Sequence, residues 1–452
     1  MGEPMKEIRI LPKSLSGKVT IPPSKSMSHR ALICSGLSNG KSIIDNVEFS
    51  KDIIATSEAL RAIGVEIVNI SEEFSALQKL SVDGCKFNEN IKNKDINSRK
   101  CEDNIVIQCN ESGSTLRFLI PIAMTLDKSL EFIGKGKLVE RPLKTYYDIF
   151  ENQGIKYSTN NGQLPLEVKG SLKAGEYEVK GNISSQFISG LLFTLPLLDG
   201  DSKIIITTEL ESKGYIDLTL SMLNKFSIKI ENKDYREFII KGNQEYKSRN
   251  YRVEGDFSQG AFFLVGGLLS GEISVLDLDI KSLQGDKEIL DIINKMDGRY
   301  IVKDDENNKS VITSKCETKG AVIDASQCPD LVPIVSVLAA LSEGETRIIK
   351  AERLRIKESD RLKAMCTELN KLGAEVTETE DGLIIKGKKT LKGGRVNSWN
   401  DHRIAMALAI ASIKCEEEVI IENSTVVDKS YPRFWDDFAK LGGDISEHNM
   451  GE

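Results

Sequence analysis

One theme recurs six times along this chain and limits its fold more than any composition figure. A short polar turn opens an apolar helix, a Gly or acidic turn follows, and a short aliphatic strand comes next. The turns fall near Ser24, Ser112, Ser184, Asp256, Asp324 and Asn400, a period of roughly 70 residues. In order they read PSKSMSHRALI, ESGSTLRFLI, ISSQFISGLL, GDFSQGAFFLV, DASQCPDLVPI and WNDHRIAMALA. Each copy sets Ser, Thr, Asp or Asn where a helix start would otherwise leave N–H groups unpaired. Such ends attract anions through those N–H groups and the helix dipole. Several turns also carry Lys or Arg, so the chain reads as a holder of negatively charged small molecules.

A second helix is expected in every repeat, over 50–64, 143–154, 215–226, 286–298, 359–373 and 432–443. Five of these end near a Gly, at 64, 154, 298, 373 and 442, as a left-handed helix stop prefers. Runs such as VEIVNI and IKYS follow as strands. The predicted unit is strand–helix–strand–helix–strand–strand, an α/β (α+β) layering. The Lys- and Asn-rich stretches 86–104 and 243–250 read as loops, the second as the crossover between two halves of three repeats each. The N-terminal IRILPKSLSGKVTI precedes the first repeat and fits either half.

At 452 residues the chain is long enough for two or three domains. The net charge of −7 is spread along the sequence, which argues against nucleic acid or a membrane surface as partner but leaves room for a local basic pocket. No apolar run approaches a membrane span, and MGEPMKEIRI lacks the apolar core of a signal peptide. The eight cysteines form no CxxC pair, which speaks against structural zinc, and their scatter suits free thiols in a reducing cytoplasm. Only three histidines are present, too few for a three-His metal centre once His448 is set aside near the C-terminus.

GLSNGKS (36–42) resembles a phosphate-binding loop but is one residue short and runs from helix to strand rather than strand to helix; it is expected to be a plain turn. In PPSKSMSHR (22–30), Ser24, Lys25 and Ser26 crowd a helix start, and Arg30 falls one turn after Ser26 on the same face, a cradle for phosphate or carboxylate as well as an ordinary capped helix. GNISSQ (181–186) and ESK (211–213) offer hydroxyls that capping alone could use, or that backbone N–H groups could supplement around a phosphate. LRIKESDRLK (354–363) sets Lys357 and Arg361 four apart with Glu358 between them, a carboxylate among cations suited to acid or base work. Arg141, Arg403 and Lys429 add cations from other repeats, and Arg presents a rigid fork to carboxylate or phosphate. Asp330 stands at another helix start, where it would stay ionised as a cap or divide acid and base duties with Glu358.

PSKSMSHRAL, SGSTLR, ERP, GNISSQF, ESKGYID, PD, LRIKESDRL, NDHRIAMA and DKSYP occur in this order over nearly the whole chain. The set resembles the enolpyruvyl transferase family, and within it the 5-enolpyruvylshikimate-3-phosphate synthases. The resemblance implies an inside-out barrel in each of two similar domains of three βαβαββ repeats. One domain would comprise 1–21 with 251–452 and the other 22–250, with the active site in the cleft between them. It implies transfer of the carboxyvinyl group of phosphoenolpyruvate to the 5-hydroxyl of shikimate 3-phosphate, in the pathway to chorismate and aromatic amino acids, with no metal or organic cofactor. By position, Lys25 would touch both substrates. Ser26, Arg30, Ser184, Ser185, Gln186, Ser212, Asp330 and Lys357 would hold shikimate 3-phosphate. Gly113, Arg141, Gln186, Arg361, Arg403 and Lys429 would surround phosphoenolpyruvate. Asp330 is expected as base and Glu358 as proton donor, with Lys25 assisting. A cytoplasmic monomer is expected.

Two positions depart from the family pattern. Glu111 stands where Asn is usual, an acid near an anion pocket, so its side chain is expected to point away; the departure leaves sensitivity to the competitive inhibitor glyphosate open. Arg353 stands where some relatives have Asn. The related UDP-N-acetylglucosamine carboxyvinyltransferases typically carry a reactive Cys before their RP pair, and GKGKLVERP has none. A non-catalytic anion-binding repeat protein would not need Lys25, Asp330, Glu358, Arg361 and Lys429 together.

Overall fold

The computed structural model describes residues 6–73, 75–92, 104–305 and 308–449. Its strands assemble into six sheets of four strands each. Repeats two, three and five are continuous in sequence. In repeat two, strand Ile105–Gln108 runs parallel to Ser129–Ile133, which pairs antiparallel with Gln163–Lys169, which in turn pairs antiparallel with Lys156–Asn160. The same order recurs around Ser202–Ile206 in repeat three and Glu345–Ile349 in repeat five. Strand Gln163–Lys169 shows the logic locally: Leu164, Leu166 and Val168 are buried while their neighbours face out, the period of two that a half-covered sheet requires.

The other three repeats are completed by distant pieces of chain. The parallel edge strand of repeat one is Tyr251–Arg252, beside Lys41–Val47. That of repeat four is Gly17–Thr20, beside Ile273–Leu276. In repeat six, Lys6–Leu11 lies between Val419–Glu422 and Asp444–Asn449, antiparallel to both. The N-terminal segment thus forms two strands in two different sheets.

The chain divides into two compact units, Lys25–Val253, and the residues to Ser24 together with those from Glu254 onward. Each has its own apolar core. In the second, helices Phe257–Leu269, Val332–Ala340 and His402–Ser412 pack on one another and are buried along their whole length. A helix apolar all round belongs inside. In Lys25–Val253, helix Gly113–Ala123 packs on Ser185–Thr194. Gly190 allows the close approach, since a Cβ there would overlap the Tyr146 hydroxyl and the Arg117 carbonyl.

Side-chain caps hold the expected helix starts at Ser112, Ser184 and Asp256, which accept from the N–H groups of Thr115, Gln186, and Ser258 and Gln259. Two expectations shift. In repeat six the cap is Asp401, not Asn400. In repeat five Asp324 ends a strand and accepts from the Ser326 N–H; the chain then enters helix Val332–Ala340 through the turn Pro329–Leu331 with no side-chain cap. Pro329 and Pro333 occupy first-turn positions that need no N–H donor, so Asp330 is released from capping.

The second helices end on left-handed Gly64, Gly154, Gly373 and Gly442, with φ of +101°, +68°, +87° and +101°. Gly298 is not such a stop: Asp297 takes φ +61° instead, which Asp tolerates, and a Cβ at Gly298 would fall 2.8 Å from Ile293. The expected 86–104 loop begins as a helix, Cys85–Lys92, because Asp83 accepts from the Cys85 N–H and the Phe87 ring is fully buried. Residues 93–103 of that stretch lie outside the described residues. GLSNGKS is the turn between helix Lys25–Leu37 and strand Lys41–Val47.

His29 lies inside the first core, 1% exposed. Burial pushes its pKa down to about 3, with Asp52 opposing and Lys25 and Arg30 adding. Unfolded, the imidazole protonates near 6.5, so its stabilising contribution is complete above that pH and is lost as pH falls toward the folded value. His29→Asn should therefore flatten the pH dependence of unfolding free energy below pH 6.5, removing about 1.4 kcal/mol per pH unit. Urea titrations of both proteins down to about pH 4.5 check this; equal slopes would show that His29 protonates without unfolding the core.

Candidate active site

In the unit from Glu254 onward, the polar centre is built on Arg361, the first residue of helix Arg361–Lys371 and only 1% exposed. Its Nε donates to Asp401 Oδ2 at 2.8 Å, Nη1 to Asp330 Oδ1 at 2.8 Å, and Nη2 to Glu358 Oε2 at 2.9 Å and Asp401 Oδ1 at 3.3 Å. One guanidinium thus fixes three carboxylates from repeats five and six. Asp401 is fully buried, caps its own helix through the Arg403 N–H, and accepts from Ser359 Oγ at 3.1 Å. Arg403 Nη2 donates to Asp330 Oδ2 at 3.3 Å and Nη1 to the Asp330 carbonyl at 3.2 Å. Lys357 Nζ stands 3.6 Å from Asp330 Oδ1. Burial alone would raise the Asp330 pKa, but Arg403, Lys357 and Arg361 outweigh it and hold the carboxyl well below the usual range. Burial lowers the Lys357 pKa against the opposing pull of Asp330.

Asp330, Lys357, Glu358, Arg361 and Arg403 therefore meet in one cluster. Lys429 ends the turn Ser424–Lys429, which packs on helix His402–Ser412. Next to it, Ser430 accepts from Gln259 Nε2 at 3.2 Å, so repeat four, which lacks a charged site residue, supports this corner. These pairings leave Arg361 at most one N–H for a ligand.

In Lys25–Val253 the expected site residues include the cations Lys25, Arg30 and Arg141. Lys25 Nζ donates to Asp52 Oδ2 at 2.9 Å. Arg30 is turned inward: Nε donates to Thr219 Oγ1, Nη1 to the Ser26 carbonyl and Nη2 to the Tyr215 carbonyl, at 2.9, 2.8 and 3.0 Å, and its guanidinium lies 5.3 Å from the Phe118 ring centre. Two of its five N–H groups remain, so it is a strut between repeats one and three as much as a ligand donor. Burial lowers its pKa to about 10, and it stays charged at neutral pH.

Gly113 opens helix Gly113–Ala123 with the Arg141 guanidinium lying over it; a Cβ there would fall 2.5 Å from Arg141 Nη1. Arg141 donates no side-chain hydrogen bond to a described residue, and its Nε is buried without a partner. Glu111 Oε1 lies 2.8 Å from where a Gly136 Cβ would stand, on the loop leading to Arg141. Gln186 Nε2 donates to Ser114 Oγ at 2.9 Å while its Oε1 accepts from Arg117 Nη1 at 2.8 Å, so Arg117 sets the amide's orientation. Ser184 and Ser185 open helix Ser185–Thr194. The Glu211 N–H donates to the Gly181 carbonyl at 3.3 Å, which brings the Ser212 turn beside them.

Sequence reasoning did not single out Asp401, Arg117 or Asp52. Each had a signal. Asp401 precedes Arg403 at a helix start, Arg117 stands one turn after Gly113, and Asp52 lies in a first turn after Ser50. Among the described residues no group of three or more His, Cys, Asp or Glu is placed to hold a metal, and no helix is long and apolar enough to cross a membrane.

Repeated sheets around buried helices, with Lys, Arg, Asp and Glu gathered at helix starts, define an enolpyruvyl transferase-like protein. A model of the EPSP synthase (3-phosphoshikimate 1-carboxyvinyltransferase) family matches residues 11–438, and the chain belongs to that family. The 3-phosphoshikimate 1-carboxyvinyltransferase of Clostridium novyi strain NT is 60% identical over 449 residues, covering 99% of this chain and 100% of that protein. The protein of the same name from Clostridium perfringens (ATCC 13124) is 59% identical over 439 residues, covering 97% and 99%. The fold is that of the EPSP synthase of Acinetobacter baumannii, a solved structure with TM-score 0.79 at 23% identity, covering 98% of this chain and 100% of that one.

Removing Asp401 leaves Arg361 buried with its strongest partner gone. Asp401→Ala should destabilise by about 3–5 kcal/mol, and Asp401→Asn by less because a cap and one acceptor remain. Guanidinium-chloride unfolding measures both; a loss under about 1 kcal/mol would mean that water replaces the carboxylate.

Proposed function

We propose that this chain transfers the carboxyvinyl group of phosphoenolpyruvate to the 5-hydroxyl of shikimate 3-phosphate, releasing phosphate, as a step toward chorismate and the aromatic amino acids. The observation that carries the residue-level reading is the pair Asp330 and Glu358, both held by Arg361 among further cations. In the first unit, Ser184, Ser185 and Ser212 serve the phosphate of shikimate 3-phosphate, Gln186 its ring, and Ser26 and Arg30 its carboxylate side. Arg141 and Gly113 serve phosphoenolpyruvate, and Lys25 both substrates. In the second unit, Lys357 and Asp330 serve the hydroxyls of shikimate 3-phosphate, and Arg403, Lys429 and the remaining Arg361 N–H the anionic groups of phosphoenolpyruvate.

The chemistry is addition followed by elimination. The 5-hydroxyl oxygen bonds to C2 of phosphoenolpyruvate as its proton passes to Asp330, and C3 takes a proton from Glu358. The tetrahedral intermediate then loses phosphate from C2, which leaves with the proton held by Asp330, and returns a proton from C3 to the Glu358 carboxylate, restoring the double bond. Ligand-free, Asp330 is a weak base because three cations hold it ionised. Anionic substrates that draw Arg403 and Lys357 toward themselves remove that restraint and raise its basicity when the base is needed. Lys357, its own pKa lowered by burial, and Lys25 assist proton movement. Seven described cysteines are free thiols, which supports a reducing cytoplasm as the setting; a monomer is the expected state.

Phosphate release with phosphoenolpyruvate and either shikimate 3-phosphate or UDP-N-acetylglucosamine tests the assignment. Release with shikimate 3-phosphate alone is expected. Release only with the nucleotide sugar would move the chain to the rival activity, and release with neither would leave an anion-binding protein. Glu358→Ala should lower kcat at least about a hundred-fold while leaving shikimate 3-phosphate affinity nearly intact; equal losses in both would remove it as proton donor. Arg141→Ala should chiefly raise KM for phosphoenolpyruvate, and an unchanged KM would exclude that contact.

A further inference from the structure

Four buried side chains from three helices form an unbroken polar chain. His29 Nδ1 lies 2.7 Å from Thr56 Oγ1, Thr56 Oγ1 lies 2.6 Å from Thr115 Oγ1, and Thr115 Oγ1 donates to Ser112 Oγ at 2.7 Å. All four are 1% exposed or less. The direction of its protons follows from counting donors. The Thr115 hydroxyl proton goes to Ser112, so Thr115 accepts from Thr56, and Thr56 accepts from His29 Nδ1–H. The reverse order would put the imidazole proton on Nε2, which is buried without a partner. An unpaired buried N–H is rarer than an unused lone pair, so the Nδ1–H tautomer is assigned. The ring remains neutral there, since burial holds its pKa near 3.

The far end of the chain is the consequence. Ser112 Oγ accepts twice, from the Thr115 hydroxyl and from the Thr115 N–H at 3.2 Å, which leaves its own proton to be donated. Among the described residues no acceptor takes it. Ser112 caps the helix that begins at Gly113, and the Arg141 guanidinium lies over Gly113.

We propose that Ser112 is a further binding residue, donating its hydroxyl proton to an anionic oxygen of phosphoenolpyruvate beside Arg141, and that His29, Thr56 and Thr115 are positioning residues that keep this proton turned outward. The proposal rests on the reaction assigned above and adds a side-chain donor to it. Replacing Thr56 removes the fixed direction, because Ser112 and Thr115 can then exchange donor and acceptor roles.

Steady-state kinetics and calorimetric titration of phosphoenolpyruvate in the presence of shikimate 3-phosphate test it on the full chain. Ser112→Ala should raise KM and Kd for phosphoenolpyruvate roughly ten-fold, as loss of a hydrogen bond to a charged group does. KM for shikimate 3-phosphate should not change. Ser112→Thr, which keeps the hydroxyl, should stay within about three-fold of the parent. Thr56→Val, which leaves the cap in place, should give an intermediate loss. Unchanged phosphoenolpyruvate affinity in Ser112→Ala would overturn the binding role, as would equal damage by Ala and Thr. Unchanged affinity in Thr56→Val would overturn the positioning role. A parent chain that binds phosphoenolpyruvate without releasing phosphate would instead count against the reaction, and the titrations would still decide Ser112.

Discussion

The arrangement of the second unit's polar centre depends on the burial of Arg361. A guanidinium at 1% exposure cannot stay without anionic partners, because its desolvation costs several kcal/mol. Asp401 supplies a two-point contact, and Asp330 and Glu358 take the remaining directions. The guanidinium is planar, so these carboxylates are fixed in angle as well as distance. A Lys at this position could supply charge but not the fork. Such a network adds little net stability compared with an apolar core; what it does is fix the positions of three carboxylates in advance.

The scaffold that holds this network depends on pairing between residues distant in sequence. Gly17–Thr20 and Tyr251–Arg252 each complete a sheet whose other strands follow in a separate stretch of chain, and Lys6–Leu11 lies inside the sheet of repeat six. Without these strands, the sheets of repeats one and four would expose an open edge along Lys41–Val47 and Ile273–Leu276, a template for unwanted pairing. The long-range closures also make each unit slow to assemble in principle, because loop closure must precede the contacts that reward it.

Much of this was legible in the sequence, because helix starts and stops have local causes. Ser112, Ser184 and Asp256 cap where their residue types predict, and Gly64, Gly154, Gly373 and Gly442 stop helices with positive φ. The failures also have causes. Repeat five carries its acid six residues past the expected turn because two prolines replace the side-chain cap. Asp297 rather than Gly298 takes the left-handed position, since Asp accepts it and Gly298 packs closely on Ile293. The Lys- and Asn-rich look of 86–104 hid one Phe with a buried place to fill. Asp401 and Arg117 were missed for a different reason: their importance lies in partners from other repeats, which no local pattern encodes.

Charge pairing differs between the two clusters. In the second unit Arg361, Arg403 and Lys357 face Asp330, Glu358 and Asp401, cations and carboxylates in equal number. A balanced cluster holds an anion only by giving up internal pairing, so binding and the protonation state of Asp330 are linked there. In the first unit Lys25, Arg30, Arg117 and Arg141 stand near helix starts, with Lys25 paired to Asp52. The same helix-start geometry recurs throughout, and an acid at such a turn can cap its own helix, as Asp256 does, face an arginine once proline replaces the cap, as Asp330 does, or do both, as Asp401 does.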